Sequence, residues 1–566
     1  MIKGIGASSG IALAKALVVK NEELVISKRV IEDVEQELNK FNKAVALSKK
    51  DLEDMKDKVA KEIGESEAEI FEMHIMLLED HGFNQKVIDK IISDKCNADF
   101  ALHEIKEQYV QMFESMDNEY MKERAVDIKD ISQRTIRHLL KIKTIDLSNL
   151  KEDVILIIED LTPSDTATMD KSKVKGFITK VGGRTSHTAI MARTLEIPAI
   201  VGCGNSMDII KDDDFIVMNG ENGIFEVNPS ESLLTSYELK QKEELEHKEL
   251  LKNFIGKESI TLDGKKVELA GNIGSPADIQ ALLDNDAEGV GLYRTEFLYM
   301  DKGDSFPTEE EQFNAYKKVL EAMNGKPVII RTLDVGGDKE LPYFKIEEEM
   351  NPFLGYRAIR LCLDRTDIFK TQLRALYRAS VYGKLRIMFP MISSLEELLE
   401  AKGVIKEVLK ELDLEGIDYA KDVEIGMMIE VPSSAIISDI LAKHIDFFSI
   451  GTNDLIQYTC AVDRMNQKVS YLYNQLNLGV LRLIKIVIDN AHKESKWVGM
   501  CGESAGDSKM IKLLLGMGLD EFSMSPSSIL KSRKIISETS YEESKKVASN
   551  LLTFGAPVSM VEDNLK

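Results

Sequence analysis

From about residue 260 to 566 the chain repeats one pattern: a short apolar run, then a segment of helix length, then another run. The runs are Val267 to Ile273, Gly289 to Tyr293, Pro327 to Ile330, Leu385 to Phe389, Val423 to Ile429, Phe447 to Ile450, Trp497 to Met500 and Glu521 to Met524. Eight strands alternating with helices over about 300 residues meet the requirement of a (β/α)8 barrel. A second observation is independent of the count. Arg294, Arg331, Glu430, Asn453, Asp454 and Cys501 stand closely after their runs, and the C-terminal strand ends are where such barrels carry their chemistry.

The preceding residues divide differently. Residues 21–148 contain no proline, and Val34, Leu38, Phe41, Val45, Leu52, Met55 and Val59 fall at helical spacing, so one long helix starts a helical subdomain. Further helical runs cover Glu67 to Leu78 and about Asp99 to Lys141. From Val154 the period shortens. Val154 to Ile158, Gly176 to Thr179, Ile197 to Val201, Phe215 to Met218 and Ile224 to Val227 read as strands, with a turn at Thr162 to Asp165. The expected order is therefore an α/β domain formed by 1–20 and 149–230, a helical subdomain 21–148 inserted in it, a Glu- and Lys-rich helical linker 231–259, and the barrel 260–566.

Composition excludes several classes. With 73 Lys plus Arg against 96 Asp plus Glu the formal charge is -23, the wrong sign for wrapping nucleic acid or anionic lipid. No apolar run reaches the roughly 20 residues of a membrane helix. Lys3 precedes an apolar stretch from Ile11 to Val19, but Lys15 interrupts it and no small-residue cleavage site comes after it, so the stretch reads as a buried strand or loop. Cys96, Cys203, Cys362, Cys460 and Cys501 are odd in number and scattered, which predicts a cytoplasmic protein without structural disulfides.

Two constellations carry chemistry. In Gly182 to Arg193, His187 stands where a glycine-rich turn opens a helix. Free N–H groups and the helix dipole attract an anion there, and a neutral imidazole can attack phosphorus. The bland alternative is a histidine that caps its own helix. At the barrel rim, Arg294 and Arg331 offer bidentate donors to phosphate or carboxylate, and Glu430 and Asp454 offer hard oxygens to Mg²⁺. The alternative is a set of buried ion pairs. Cys501 can act as a proton donor, since a thiol is mostly protonated at neutral pH, or be a small core residue. Cys203 has no charged neighbour in sequence and reads as structural.

These motifs closely resemble enzyme I of the phosphoenolpyruvate-dependent sugar phosphotransferase system, over essentially the whole chain. Gly4-Ile5-Gly6-Ala7-Ser8-Ser9-Gly10 is similar to its N-terminal signature and Gly182 to Arg193 to its phosphohistidine motif. Gly291 to Phe297, Arg331 to Lys339, Asn351 to Arg357, Glu430-Val431-Pro432 and Ser449 to Leu455 are similar to its substrate and metal segments. The resemblance implies that His187 takes the phosphoryl group of phosphoenolpyruvate and passes it to the carrier protein HPr. It implies Mg²⁺ on Glu430 and Asp454, with Mn²⁺ left open. Arg294, Arg331 and Arg464 then clamp the substrate with Asn453 and Arg357 beside them, Thr166 orients the His187 ring, and Cys501 protonates the enolate.

A homodimer through the barrel is also implied by resemblance alone, and the start at residue 1 favours the sugar-linked branch. HPr is expected on the helical subdomain, at Met76 and Leu77 flanked by Glu65, Glu79 and Asp80, unless that helix is wholly buried. A dikinase or synthase that uses ATP is disfavoured, because the first 150 residues hold no glycine-rich phosphate loop. A silent carrier-binding scaffold is disfavoured by the intact catalytic set.

Overall fold

The five residues of Val154–Ile158 (β4) are all buried, because a strand covered on both faces has no side to leave polar. Val154, Leu156 and Ile158 enter one apolar cluster, with Phe177, Ala189 and Ala192, whereas Ile155 and Ile157 enter another, with Ala14, Ile178 and Phe225. The strand period of two thus feeds two cores. The computed structural model in which this is seen describes every residue except 1, 20–25, 63–64, 115–118, 143–146, 148–149, 160–168, 184–187, 190–191, 193–196, 301–304, 338–340, 342, 345, 348, 465, 467 and 555–566. The chain separates into two units, Met1–Lys248 and Glu249–Lys566.

In the first unit, β4 belongs to an eight-stranded sheet with β1 (Ile2–Lys3), β2 (Ile5–Ser8), β3 (Ile11–Val19), β5 (Val174–Thr179), β6 (Ala199–Val201), β7 (Phe215–Asn219) and β8 (Ile224–Val227). The order is β1-β8-β7-β3-β4-β5-β6-β2. Its outer members β1 and β2 are separated in the chain by Gly4 alone, so the sheet has to curl until its edges nearly meet. A Cβ on Gly4 would stand 2.6 Å from Cys203 Sγ, which explains both the glycine and the buried cysteine. The stretch from Ile11 is indeed a strand.

Among the described residues five helices lie between β3 and β4, which pair in parallel from Lys15 against Val154. They are α1 (Val34–Glu62), α2 (Glu65–Leu78), α3 (His81–Asp94), α4 (Ala98–Glu114) and α5 (Glu119–Leu140). The sequence pattern anticipates α1 and α2. It misses α3, whose signals are the Asp80 carboxylate accepting from Phe83 N–H and the four-residue spacing of Phe83, Val87 and Ile91, all buried. It also runs α4 and α5 together, since no Gly or Pro separates them. The connection Glu231–Lys252 is one helix.

The second unit is a closed barrel of eight parallel strands. They are β9 (Glu268–Ile273), β10 (Gly289–Arg294), β11 (Pro327–Arg331), β12 (Lys384–Phe389), β13 (Glu424–Ile429), β14 (Phe447–Ile450), β15 (Trp497–Met500) and β16 (Glu521–Met524). All eight expected strands are present. The barrel interior holds Leu292, Ile329, Met388, Met428, Phe447 and Cys501. Towards the N-terminal strand ends Trp497 stacks on Phe447 at 4.5 Å, and the Arg386 guanidinium lies 4.5 Å from the Trp497 ring. Among the described residues no helix is long and apolar enough to cross a membrane, and all five cysteines are free thiols.

The helix Ser508–Met517 packs its Gly516 against the helix Tyr541–Phe554, where a Cβ would stand 2.1 Å from the Ser544 carbonyl oxygen. Backbone cannot yield as a side-chain tip does. Gly516→Ala is expected to destabilise the barrel by about 1–3 kcal/mol, read as a lower guanidinium midpoint with an unchanged slope.

Candidate active site at the barrel mouth

Arg331 ends β11, Glu430 comes directly after β13 and Cys501 directly after β15. Each stands two residues beyond an inward-facing position, Ile329, Met428 and Gly499, so strand parity aims all three into the mouth. Asp454 lies in the first turn of the helix Thr452–Cys460, directly after β14. Arg294 ends β10 in register with Arg331.

The mouth is crossed by a chain of alternating charges. Arg331 Nη2 lies 2.6 Å from Glu296 Oε1 and 3.0 Å from Asp334 Oδ2. Arg357 Nη2 lies 2.9 Å from Asp334 Oδ1 and 3.5 Å from Asp454 Oδ2. Arg464 Nη1 lies 3.8 Å from Asp454 Oδ1. Burial alone would lower the pKa of Arg331 and Arg357, but the carboxylates outweigh it and hold both guanidiniums charged. Their donors are not all used. Among the described residues, the Nε atoms of Arg331 and Arg357 are buried without a hydrogen-bond partner, and Arg331 Nη1 donates to the Met428 sulfur. Buried charged donors left open suit an anion.

Glu430 is a strained acid of the mouth. Burial, with Asp454 and Asp334 nearby, pushes it up to about 7 against the pull of Arg331 and Arg357. Its Oε1 accepts from Met391 N–H at 2.5 Å, and Met391 is held at φ 57, an unfavourable backbone for a non-glycine residue. Ala358, beside Arg357, has φ 53. Two mutually repelling buried carboxylates, Glu430 and Asp454, fit a hard divalent cation that takes its remaining ligands from substrate and water. Among the described residues no three His, Cys, Asp or Glu side chains cluster with metal-binding geometry.

Cys501 is 3% exposed, and burial raises its thiol to about 11, with the Ser449 hydroxyl and Arg331 pulling it down. It is a protonated thiol at neutral pH. Arg294 and Cys501 share a cavity of about 510 Å³ with Asn272 and the loops after β15 and β16. Arg294 forms no ion pair among the described residues, unlike Arg331. A second cavity of about 540 Å³ is lined by Phe353, Met391, Val431 and Tyr458. Tyr458 Oη donates to the Phe353 carbonyl and meets Arg357 Nη1 at 3.3 Å. Asn453 Oδ1 accepts from Tyr473 Oη at 3.5 Å.

The sequence alone leaves Glu296 and Asp334 without a role. Both stand in the motifs quoted above, Asp334 three residues after Arg331, yet only the fold shows them as counter-ions. His187 and Thr166, and the turn at Thr162 to Asp165, lie outside the described residues. The chain just after His187 is anchored, for Thr188, Ala189 and Ala192 are buried. On α2, Met76 is 61% exposed while Leu77 packs partly on the Leu52 and Phe71 cluster. Glu79 pairs with Lys49, Asp80 caps α3, and the Glu65 side chain is outside the described part of the structure.

Asp334 serves two guanidiniums at once. Asp334→Asn is expected to cost roughly 3–5 kcal/mol, as when one partner of a buried pair is removed, and to lower the barrel's unfolding midpoint without changing the helical unit's circular dichroism.

Residues 3–124 match "PEP-utilising enzyme, N-terminal", residues 150–223 "PEP-utilising enzyme, mobile domain" and residues 248–541 "PEP-utilising enzyme, PEP-binding domain". The phosphoenolpyruvate-protein phosphotransferase of Priestia megaterium is 52% identical over 561 residues, covering 99% of this chain and 98% of that one. That of Bacillus subtilis (strain 168) is 52% identical over 560 residues, with the same coverage. A solution structure of Enzyme I (nEIt) is 46% identical and covers 43% of this chain and 99% of its own, with a TM-score of 0.40. Three phosphoenolpyruvate-utilising regions in order, on a chain half identical to these relatives from end to end, make it a member of the phosphoenolpyruvate-protein phosphotransferase family of transferases.

Proposed function

We propose that the chain transfers the phosphoryl group of phosphoenolpyruvate to His187 and then to a histidine of HPr, releasing pyruvate, as the first step of phosphotransferase sugar uptake in the cytoplasm. The observation that carries this reading is the set of buried, charged donors left open on Arg331 and Arg357 beside a protonated thiol. Phosphoryl transfer is governed by positioning and charge neutralisation rather than covalent chemistry by the protein. Arg294, Arg331 and Arg464 hold phosphate and carboxylate, with Asn453 and Arg357 in support. Glu430 and Asp454 hold Mg²⁺ or Mn²⁺, which when bound draws charge off the phosphoryl oxygens. Once the phosphoryl group leaves, Cys501 gives its proton to the enolate carbon and pyruvate forms. Thr166 orients the His187 ring.

His187 has to meet both a donor and a carrier. We assign 1–20 and 149–230 as the moving phosphohistidine domain, 21–148 as the HPr-binding part, 231–259 as the linker and 260–566 as the substrate-binding barrel, through which two copies pair. The exposed Met76 supports α2 as the docking helix, with the partly buried Leu77 behind it and Glu65, Glu79 and Asp80 as the acidic surround. No membrane or nucleic acid takes part.

Incubation with radiolabelled phosphoenolpyruvate and Mg²⁺ is expected to place an acid-labile, base-stable label on His187 that chases onto HPr. His187→Ala abolishes the label with the barrel intact, and Cys501→Ala slows pyruvate release about 10²-fold or more while weakening substrate binding less. Label retained in full by His187→Ala moves the nucleophile elsewhere.

A cation competes with the Glu430 proton. Because Glu430 is raised to about 7, the proton occupies the site below that pH and leaves above it. The rise in melting temperature given by Mg²⁺ alone should therefore grow between pH 6 and pH 8 and then level off. In Glu430→Gln that rise disappears at every pH.

A further inference from the structure

Behind the two arginines that end β10 and β11 lies a buried polar side chain with no part in the chemistry described so far. Gln372 stands on the helix Thr366–Ala379, in the helical layer around the strands, and is 0% exposed. Its Oε1 accepts from Leu333 N–H at 2.9 Å, and its Nε2 donates to Thr295 Oγ1 at 3.1 Å and to Tyr316 Oη at 3.2 Å. Thr295 Oγ1 in turn donates to the Arg331 carbonyl oxygen at 2.9 Å. Thr295 directly follows Arg294, and Leu333 directly precedes Asp334. One amide thus ties together the chain segments that carry Arg294, Arg331 and Asp334.

The direction of every bond is fixed. An amide nitrogen only donates, so the Thr295 hydroxyl accepts from Gln372 and gives its own proton to the Arg331 carbonyl, while the Tyr316 hydroxyl donates to Gln312 Oε1 at 3.0 Å. Gln312 Oε1 also accepts from Tyr299 Oη at 3.1 Å, and Gln312 Nε2 donates to the Pro307 carbonyl at 3.0 Å. Turning the Gln372 amide over would set its NH2 against the Leu333 N–H, donor against donor. The network therefore has one arrangement, in which the oxygen and both N–H groups of Gln372 are used. The strand ladder leaves a need for such a tie. β10 slips register against β11 between Val290 and Tyr293, and against β9 between Val290 and Leu292, so its last residues are held less firmly than those of a regular strand. Arg294, which forms no ion pair among the described residues, ends that strand.

We infer that Gln372 is a positioning residue for phosphoryl transfer, setting the place of Arg294 relative to Arg331. The inference rests on the reading of both arginines as donors to the phosphoryl group. Gln372 is sealed behind the strand ends and acts through Thr295 and Leu333, whose places decide where the two arginine side chains start. A bound phosphate tolerates a shifted backbone, because a long arginine side chain can follow its partner. The transfer itself tolerates less, since neutralising the moving phosphoryl group needs both donors at fixed points. Opening the clamp therefore lowers the rate of transfer more than it weakens substrate binding. A packing role alone would instead tie any loss of rate to lost stability.

The test mixes the full-length chain rapidly with radiolabelled phosphoenolpyruvate and Mg²⁺ and follows label on His187 at limiting and saturating substrate. Two variants open the clamp, Gln372→Met from the helix and Thr295→Val from the strand end. Tyr299→Phe is the control, since it removes a hydroxyl from the far end of the same network and leaves the bonds of Gln372 in place. Each is first shown to melt cooperatively. Gln372→Met and Thr295→Val are expected to slow the saturated rate about tenfold or more, with the half-saturating phosphoenolpyruvate concentration within about twofold of wild type. Tyr299→Phe is expected to melt lower and to label at the wild-type rate. A wild-type saturated rate in either clamp variant overturns the inference. Slowing in Tyr299→Phe as large as in Gln372→Met also overturns it, by assigning a packing role, as does a change confined to half-saturation, by assigning uniform binding. Labelling of Arg294→Ala at the wild-type rate overturns the reading beneath.

Discussion

Asp334 is the pivot of the barrel mouth. It is buried and ties Arg331 to Arg357 through its two oxygens, so that one carboxylate offsets the burial of both guanidiniums. Glu296 completes the neutralisation of Arg331 from the loop after β10, and Asp454 that of Arg357 from the helix after β14. Three loops are thereby fixed relative to one another by ion pairs in which no substrate takes part. The functional part is the remainder: Nε of each arginine, Arg294 without an ion pair among the described residues, and the strained acid Glu430. A site whose internal charges are already balanced within the protein can hold its remaining donors still while an anion enters, and little reorganisation opposes the transfer.

The barrel was legible for a definite reason. Parallel strands covered on both sides appear as short unbroken apolar runs, and Phe447–Ile450, Trp497–Met500 and Glu521–Met524 stand out between charged helices. The site was legible because chemistry at a strand end interrupts such a run with a residue of the wrong polarity, as Arg331 and Glu430 do. The helical part was less legible. α4 and α5 share one amphipathic stretch with no breaker, and α3 is short and begins with the unpromising His81 and Gly82. The curled sheet could not be read at all from local pattern, since its closure depends on β1 and β2 lying at opposite ends of the strand order although one residue separates them. Counter-ions were the other blind spot. Glu296 and Asp334 look like ordinary surface acids until the barrel turns them inward.

The same blindness extends to the barrel interior. Arg386, Glu268 and Glu521 occur at or near strand starts, where charge normally means solvent, yet Arg386 is buried over Trp497 and Glu521 is sealed. A buried carboxyl without a side-chain partner is costly, and three inward positions, Gly291, Gly426 and Gly499, forgo side chains to make room for the Glu521 carboxyl and the Phe447 ring. Packing alone would be served better by aliphatic residues at the same positions. A fold that keeps this expense beneath its mouth separates two kinds of charge along one axis. Arginine–carboxylate pairs, with the acid Glu430 among them, line the mouth, and the acids Glu521 and Glu268 lie below, raised by burial.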